Sequence, residues 1–218
     1  NNLLRYEKDL FNSLNQLSAI IKDNSITTLR LVANPDSFSI ENAKRAFMAA
    51  SLYGINTDLV VINKVFPDKY REVKSDEFYT NWTKFQHVKV REAKSNFYPL
   101  PIREVPLHST ELAGVKMLRA NADIIFGDDD PSKIFYTGKP YSVIDQPPKN
   151  LKISVRVPFT QKQDYDIKRL GSEVIIKLDS PTGYLVNVIP LPTITFDMKM
   201  IGTQLRNNTL NVLFRRPD

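Results

Sequence analysis

Residues 26–67 read ITTLRLVANPDSFSIENAKRAFMAASLYGINTDLVVINKVFP, in the order strand, helix, strand and loop. The runs at 26–33 and 59–62 are apolar with little alternation, which is typical of strands that are buried on both faces. Between them, Ser39 lies near the start of a helical pattern of apolar residues that Gly54 ends. The stretch therefore predicts a βαβ unit of a parallel sheet, with a right-handed crossover.

The end of the second predicted strand is a candidate binding position. The apolar run stops at Ile62, and the loop is expected to begin at Asn63 and Lys64. Ligands of open parallel sheets bind at the carboxyl ends of the strands. Asn63 is therefore predicted to lie where a ligand would bind. The alternative is that its side chain caps a helix or a turn.

Several motifs in this stretch and beyond it form a recurrent set. They are E-x-x-K-R at 41–45, Y-G-I-x-x-D-x-V-V-I-N-K-V-x-P at 53–67, F-Y-P-L-P at 97–101, V-P-L at 105–107 and E-L-A-G at 111–114, together with Thr28, Val32 and Asn34-Pro35-Asp36. This set resembles the arsenite-pump ATPases and the tail-anchored-protein targeting ATPases, which are P-loop proteins of the deviant Walker A type. The resemblance covers some ninety residues.

The last third of the chain has a different pattern. From residue 151, short runs alternate between apolar and polar residues and are separated by turn signals, which predicts an antiparallel sandwich. The succession V-P-F, I-K-R-x-G-S-E-V-I-I-K, V-I-P-L-P and L-R-N-N-T-L-N-V-L-F resembles the α-crystallin domain of small heat-shock proteins. That domain is appended to some members of the same ATPase family.

Two domains are therefore predicted. Residues 1–145 are expected to form the carboxyl-terminal part of an α/β P-loop NTPase domain, with a mostly parallel sheet and helices. Residues 146–218 are expected to form an all-β, α-crystallin-like sandwich after a linker that ends with Q-P-P-K-N at 146–150. Because the chain opens inside an amphipathic helix at 2–22, the missing P-loop half is expected to precede Asn1.

The resemblance implies a nucleotide site that is only partly present. Asn63 matches the family asparagine whose amide meets the edge of adenine, and Lys64 follows it. Pro106 and Leu107 match the adenine loop, an apolar wall, although an ordinary strand-to-helix turn is the alternative. The implied cofactor is ATP, with Mg²⁺ expected from the missing half.

The sequence offers no catalytic machinery of its own. A P-loop needs a Gly-rich loop that ends in Gly-Lys-Ser or Gly-Lys-Thr, but the only Gly-Lys pair, Gly138-Lys139, precedes Pro140. ATP hydrolysis is therefore expected only from the full-length protein, and no catalytic residue is assigned. No metal site is assigned either, because the two histidines stand apart and Asp128-Asp129-Asp130 lacks the spacing of a calcium loop.

Composition limits the partners. Residues 1–145 carry 19 Lys and Arg against 18 Asp and Glu, whereas residues 146–218 carry 11 against 6. The basic residues are scattered without interleaved aromatics, which favours lysines on exposed sheet faces over a nucleic-acid site. The chain has no cysteine, no signal peptide and no apolar run of membrane-spanning length, so a cytoplasmic location is expected.

The segment after Pro67 predicts three further elements. A helix at 77–96 carries Trp82, which is expected in the core, with a client-facing or nucleotide-facing position as the alternative. Ile102 and Val105 fit a final strand of the sheet. A helix capped by Ser109 or Thr110 should then run to Gly127.

Two functions are considered. In the first, the chain completes a dimeric ATP-driven switch, for protein targeting or for energising an arsenite pump, and supplies the adenine-reading part and a chaperone-like β domain. Its partners are then the P-loop half, a second copy and hydrophobic client segments, with a membrane reached only through clients or a pump. In the second, the chain is a nucleotide-independent, chaperone-like module that binds clients.

Overall fold

A computed structural model of the chain describes residues 2–67, 77–146, 150–180 and 183–217. The chain divides into two compact units. The sheet unit comprises Leu29–Ala46 and Thr57–Thr137, and the sandwich unit comprises Asn1–Thr28, Phe47–Asn56 and Gly138–Asp218.

The sheet unit contains three parallel strands in the order β1-β2-β3. Its strands are β1 (Leu29–Ala33), β2 (Thr57–Val65) and β3 (Ile102–Pro106). Helix α2 (Ser37–Leu52) follows β1, α3 (Glu77–Asn96) follows β2, and α4 (Gly114–Phe126) follows β3. The predicted parallel sheet with helices is confirmed.

The two ends of α2 have local causes. Asp36 caps the amino terminus, because its Oδ1 accepts a hydrogen bond from Ser39 N at 2.8 Å. Ser39 Oγ instead accepts from Asn34 N at 2.8 Å, so it ties the turn after β1 to the first turn of the helix. The helix stops before Gly54, whose φ of +82° suits a residue without a side chain.

Strand β1 corrects the prediction that both strands are buried on both faces. Leu31 and Ala33 are buried, but Val32 between them is 65% exposed. Only β2 lies between two strands of this sheet, and its Leu59, Val60 and Ile62 have no exposed area. An apolar run in the sequence does not distinguish an outer strand from a central one.

Helix α3 corrects the prediction that Trp82 is a core residue. Trp82 is 41% exposed and meets Phe78 and Phe85 in a solvent-facing aromatic row. The buried face carries Thr83, Gln86, Val90 and Ala93 instead. Residues on both faces of α3 recur at helical spacing. The sequence pattern alone therefore predicted burial of the face with the larger apolar side chains.

Helix α4 begins later than predicted. It starts at Gly114 after Ala113, without a side-chain cap, so the assignment of Ser109 or Thr110 as the cap is wrong. Its predicted end at Gly127 is confirmed, with a φ of +56° at that glycine.

A buried carboxylate joins β1 and β2. Asp58 has no exposed side-chain area, and its two oxygens lie 3.4 Å from the Nε and Nη2 atoms of Arg30. The Oδ2 atom also accepts a hydrogen bond from Phe135 N at 3.2 Å. A charge that is removed from water needs such partners, because its hydration is lost on folding.

Arg30 also holds the segment that follows α4. Its Nη1 donates to Pro131 O at 2.6 Å and its Nη2 to Lys133 O at 2.8 Å. The guanidinium lies 5.8 Å from the ring centre of Phe126 and 5.2 Å from that of Phe135. One side chain thus connects the sheet, the end of α4 and residues 131–135.

Replacing Arg30 should strongly destabilise the fold. Arg30→Met leaves the Asp58 carboxylate buried without its cation, and we expect a loss of about 3 kcal/mol in the free energy of unfolding, measured in urea. Lys89→Met is the control, because it removes an exposed ion pair with Glu92 and should cost less than about 1 kcal/mol. Equal losses in the two variants would contradict the central role of the buried pair.

The sandwich unit contains two antiparallel sheets, in the orders β4-β5-β10-β9 and β6-β7-β8. The first comprises β4 (Tyr141–Gln146), β5 (Asn150–Arg156), β10 (Thr209–Arg215) and β9 (Lys199–Arg206). The second comprises β6 (Tyr165–Leu170), β7 (Glu173–Ser180) and β8 (Gly183–Pro190). The predicted antiparallel sandwich is confirmed, whereas β4 and β9 had no counterpart among the predicted strands.

Both unpredicted strands lie at an edge of the four-stranded sheet. The sequence of β9, KMIGTQLR, is largely polar and contains a glycine, so its alternation is weak. Strand β4 pairs with β5 in a hairpin whose residues 147–149 lie outside the described residues. The linker interpretation of 146–150 falls partly on that gap, although Gln146 and Asn150 themselves pair across the two strands.

The core of the sandwich unit also includes part of α2. Met48 and Leu52 join a buried cluster that otherwise comes from both sheets, including Ile153, Ile176 and Phe214. Two polar contacts then tie the end of the helix to the edge strand β8. Asn187 Nδ2 donates to Leu52 O at 2.8 Å, and Tyr53 Oη donates to Val186 O at 2.8 Å.

The hairpin between β9 and β10 uses the predicted turn. Asn207 and Asn208 have φ angles of +48° and +58°, which asparagine tolerates better than most residues.

Helix α1 (Asn2–Lys22) presents an exposed apolar face. Six of its large apolar side chains are 50–72% exposed, and they are Tyr6, Leu10, Phe11, Leu14, Leu17 and Ile20. Among the described residues, no helix combines the length and the apolar character needed to cross a bilayer.

Candidate functional site

The carboxyl end of the parallel sheet brings the predicted site residues together. Strands β2 and β3 are in register at Val65 and Pro106, and Leu107 N donates to Val65 O at 2.8 Å. Asn63 and Lys64 therefore lie at the same end of the sheet as Pro106 and Leu107.

The backbone at Asn63 differs from the expected loop. Strand β2 continues to Val65, so Asn63 and Lys64 lie within it. The pairing with β3 is irregular between Ile62 and Val65, and Lys64 has a φ of +61°. A left-handed residue interrupts the regular alternation of side chains, which gives this strand end a geometry of its own.

The amide of Asn63 is only partly used inside the protein. Its Oδ1 accepts a hydrogen bond from Lys64 N at 3.0 Å. Within the described residues its Nδ2 donates to nothing, and the residue is half-buried. A free donor and the second lone pair of Oδ1 remain for a ligand.

The other side of the candidate site is apolar. Pro106 has no amide hydrogen, and the amide of Leu107 is taken by Val65 O. Pro106 is half-buried and Leu107 is 39% exposed, so both can contact a flat ring. Lys64 is exposed and has no ion-pair partner among the described residues, so its ammonium group is available to an anion.

A purine fits the chemistry of these groups. The edge of adenine offers ring-nitrogen acceptors and an exocyclic amine donor, which an amide side chain can meet with one donor and one acceptor. The described residues at this end of the sheet provide that amide and an apolar wall.

Two further contacts at this end were missed by sequence reasoning. Gln86 on α3 is 8% exposed, and its Oε1 accepts from Phe66 N at 2.8 Å while its Nε2 donates to Lys64 O at 3.3 Å. His108 Nε2 lies 2.9 Å from Asn121 Oδ1 and so joins the segment after β3 to α4. No signal in the sequence pointed to Gln86, because the pattern favoured the opposite face of α3 as the buried one.

The acidic run after α4 is engaged in the protein's own contacts. Asp129 binds Arg103 at 2.6 Å and Lys133 at 3.5 Å. Hydrogen bonds from the backbone N and the hydroxyl of Ser132 lower the pKa of Asp130 below its usual value. Across the part of the chain that the structure describes, no group of three His, Asp or Glu side chains could hold a metal ion.

The polar end of β2 and the apolar Pro106–Leu107 loop lie at the carboxyl end of a parallel sheet, where open α/β sheets bind their ligands. A model of the anion-transporting ATPases, the ArsA family, matches residues 1–127, up to the glycine that ends α4. The chain belongs to this family, and the resemblance found in its motifs is confirmed.

Three relatives are named as candidate arsenical pump-driving ATPases. That of Aquifex aeolicus is 30% identical over 168 residues, which are 77% of this chain and 42% of the relative. That of Chlorobaculum tepidum is 28% identical over 183 residues, which are 84% of this chain and 43% of the relative. That of Prosthecochloris vibrioformis is 26% identical over 205 residues, which are 94% of this chain and 48% of the relative. The chain spans less than half the length of these relatives.

The solved structures that match part of the chain include a small heat shock protein. The small heat shock protein AgsA of Salmonella typhimurium, truncated at both termini, covers 37% of this chain and 100% of its own, with 16% identity and a TM-score of 0.29. A score this low supports no inference, so the assignment to the α-crystallin type stays a prediction.

The hydrogen bond of Asn63 can be tested through stability alone. Asn63→Asp keeps an oxygen that accepts from Lys64 N, whereas Asn63→Ala removes it. We expect urea unfolding to show a loss of about 1 kcal/mol for Asn63→Ala and little change for Asn63→Asp at neutral pH. Losses of the same size in both variants would contradict a role of the oxygen, because both substitutions remove the amide nitrogen and only Asn63→Ala removes the oxygen.

Proposed function

We propose that this chain supplies the base-reading part of an ATP site, whose phosphate-binding part lies in the P-loop half of the same protein or on a second chain. The supporting observation is the half-free amide of Asn63 at the carboxyl end of a parallel sheet, two residues before Val65, which pairs with Pro106 of the apolar Pro106–Leu107 wall. Family membership supports the use of a nucleotide and Mg²⁺.

The residues of this chain would bind and orient the base. Asn63 Nδ2 donates to a ring nitrogen of adenine, and the free lone pair of Oδ1 accepts from the exocyclic amine. Pro106 and Leu107 pack against the ring, and Lys64 adds positive charge at the rim. The P-loop half would hold the phosphates and Mg²⁺, so the chain would take part in ATP hydrolysis without supplying a catalytic group.

The same half would cover apolar surface of the sheet unit. Strand β1 forms one edge of the sheet, and its Val32 is 65% exposed. Helix α4 has no buried residue, and its Val115 and Leu118 are 74% and 55% exposed. The complete protein would then work as a dimer in anion-pump energisation, as the names of the relatives suggest, or in protein targeting.

Base discrimination tests the proposal. Affinities for Mg·ATP and Mg·GTP are measured by calorimetry with the P-loop half supplied, for the wild type, Asn63→Ala and Asn63→Asp. Asn63→Ala should lower the ATP-to-GTP affinity ratio about tenfold. Asn63→Asp should lower it further, because a carboxylate accepts from the two N–H groups of guanine but cannot donate to adenine. An unchanged ratio in Asn63→Ala would contradict the proposed role.

A second candidate function is client binding without nucleotide. The apolar face of α1 favours it, because six large side chains at helical spacing are at least half exposed. The open edges of the sandwich add Leu170, 62% exposed, and Ile201, 49% exposed. Such surfaces bind extended or helical apolar segments.

The full chain tests this second function. Deleting residues 1–145 is unsuitable, because it removes nearly all of β4 together with the Met48 and Leu52 side chains from the sandwich core. Suppression of aggregation of a denatured client is measured without nucleotide for the wild type and for Leu14→Gln with Leu17→Gln. The double variant should lose at least about half of the activity if α1 binds clients. A wild-type chain without activity would exclude the function.

A further inference from the structure

The left-handed residue at the end of β2 requires support from its surroundings. Lys64 has a φ of +61°, although it has a full side chain. Such a conformation is disfavoured in residues other than glycine and persists where neighbouring contacts hold it. Its position directly after Asn63 links this support to the candidate base-reading amide.

Gln86 provides that support from a different element. Its side-chain amide accepts from Phe66 N and donates to Lys64 O, so it holds the peptide groups on both sides of Val65. Gln86 is 8% exposed, which shields these hydrogen bonds from water. The carbonyl oxygen of Val65 accepts a hydrogen bond from Leu107 N.

An ordinary strand angle at Lys64 would break this set of contacts. A change of more than about 100° in φ rotates every atom that follows, so Lys64 O and Phe66 N would leave Gln86 and Val65 O would leave Leu107 N. Val65 would then lose its pairing with the Pro106–Leu107 wall, and the position of Asn63 relative to that wall would change.

We propose that Gln86 is a positioning residue for base recognition, which holds Lys64 in its left-handed conformation and so aligns Asn63 with the Pro106–Leu107 wall. This inference rests on the proposed function. The hydrogen bonds of Gln86 at this strand end are to the backbone of Lys64 and Phe66, so it would act on the base through the backbone alone. Its role is therefore to preserve discrimination between bases.

Glycine at position 64 separates this role from a general contribution to stability. Glycine adopts positive φ angles without a steric penalty, so Lys64→Gly removes the need for support from Gln86. A Gln86→Leu variant with Lys64→Gly should therefore recover what Gln86→Leu alone loses. A side chain that only stabilised the packing of α3 would not be rescued in this way.

The experiment measures the ATP-to-GTP affinity ratio with the P-loop half supplied. Gln86→Leu should lower the ratio about fivefold to tenfold, because two hydrogen bonds to the turn are lost. Gln86→Leu with Lys64→Gly should lie within about twofold of Lys64→Gly alone. Thr83→Val is the matched control, because the Thr83 hydroxyl is buried on the same helix without a hydrogen-bond partner in the structure, and its ratio should not change.

The variants distinguish this inference from the proposed function. An unchanged ratio in Asn63→Ala would overturn the base-reading role itself. A reduced ratio in Asn63→Ala with an unchanged ratio in Gln86→Leu would overturn only the role of Gln86, as would a failure of Lys64→Gly to rescue. Should Gln86→Leu not fold, Gln86→Glu keeps the acceptor for Phe66 N, loses the donor to Lys64 O, and should lower the ratio about twofold to fivefold.

Discussion

The buried carboxylate of Asp58 is the main constraint on the sheet unit. It has no contact with water, so Arg30 must reach it from the neighbouring strand and Phe135 N must reach it from the segment after α4. Because Arg30 also binds Pro131 O and Lys133 O, the charge that compensates Asp58 also fixes the path of residues 131–135. An apolar pair would be easier to bury, but it would not hold a polar backbone segment in place.

The opposite end of the same sheet is organised by hydrogen bonds instead of charge. Here β2 departs from regular strand geometry at Lys64, and side chains from β2 and α3 together with the backbone of the segment after β3 satisfy the peptide groups around it. Within the described residues the nitrogen of the Asn63 amide is unused, and Pro106 and Leu107 lie at the same end of the sheet. A regular strand would have placed the side chain of Asn63 in simple alternation with its neighbours. The irregularity therefore sets the position of the Asn63 amide that the proposed function uses.

Local patterns predicted much of this molecule. The βαβ order, the helix at 77–96, the end of α4 at Gly127 and the asparagine turn at 207–208 all follow from features within a few residues of each other. The predictions failed where distant contacts decide the outcome. Trp82 is exposed because the sheet packs against the other face of α3, and Val32 is exposed because β1 is an outer strand.

The sequence by itself determined the family, the order of the elements and the change from a parallel sheet to an antiparallel sandwich, because motifs and hydrophobic periods are properties of neighbouring residues. Only the tertiary structure decided that α2 contributes Met48 and Leu52 to the sandwich core and that Gln86 holds the turn after Asn63. Those outcomes depend on burial and on hydrogen bonds, many of them between residues far apart in the chain. The physical reason is that a backbone group removed from water takes whichever partner the fold brings within reach.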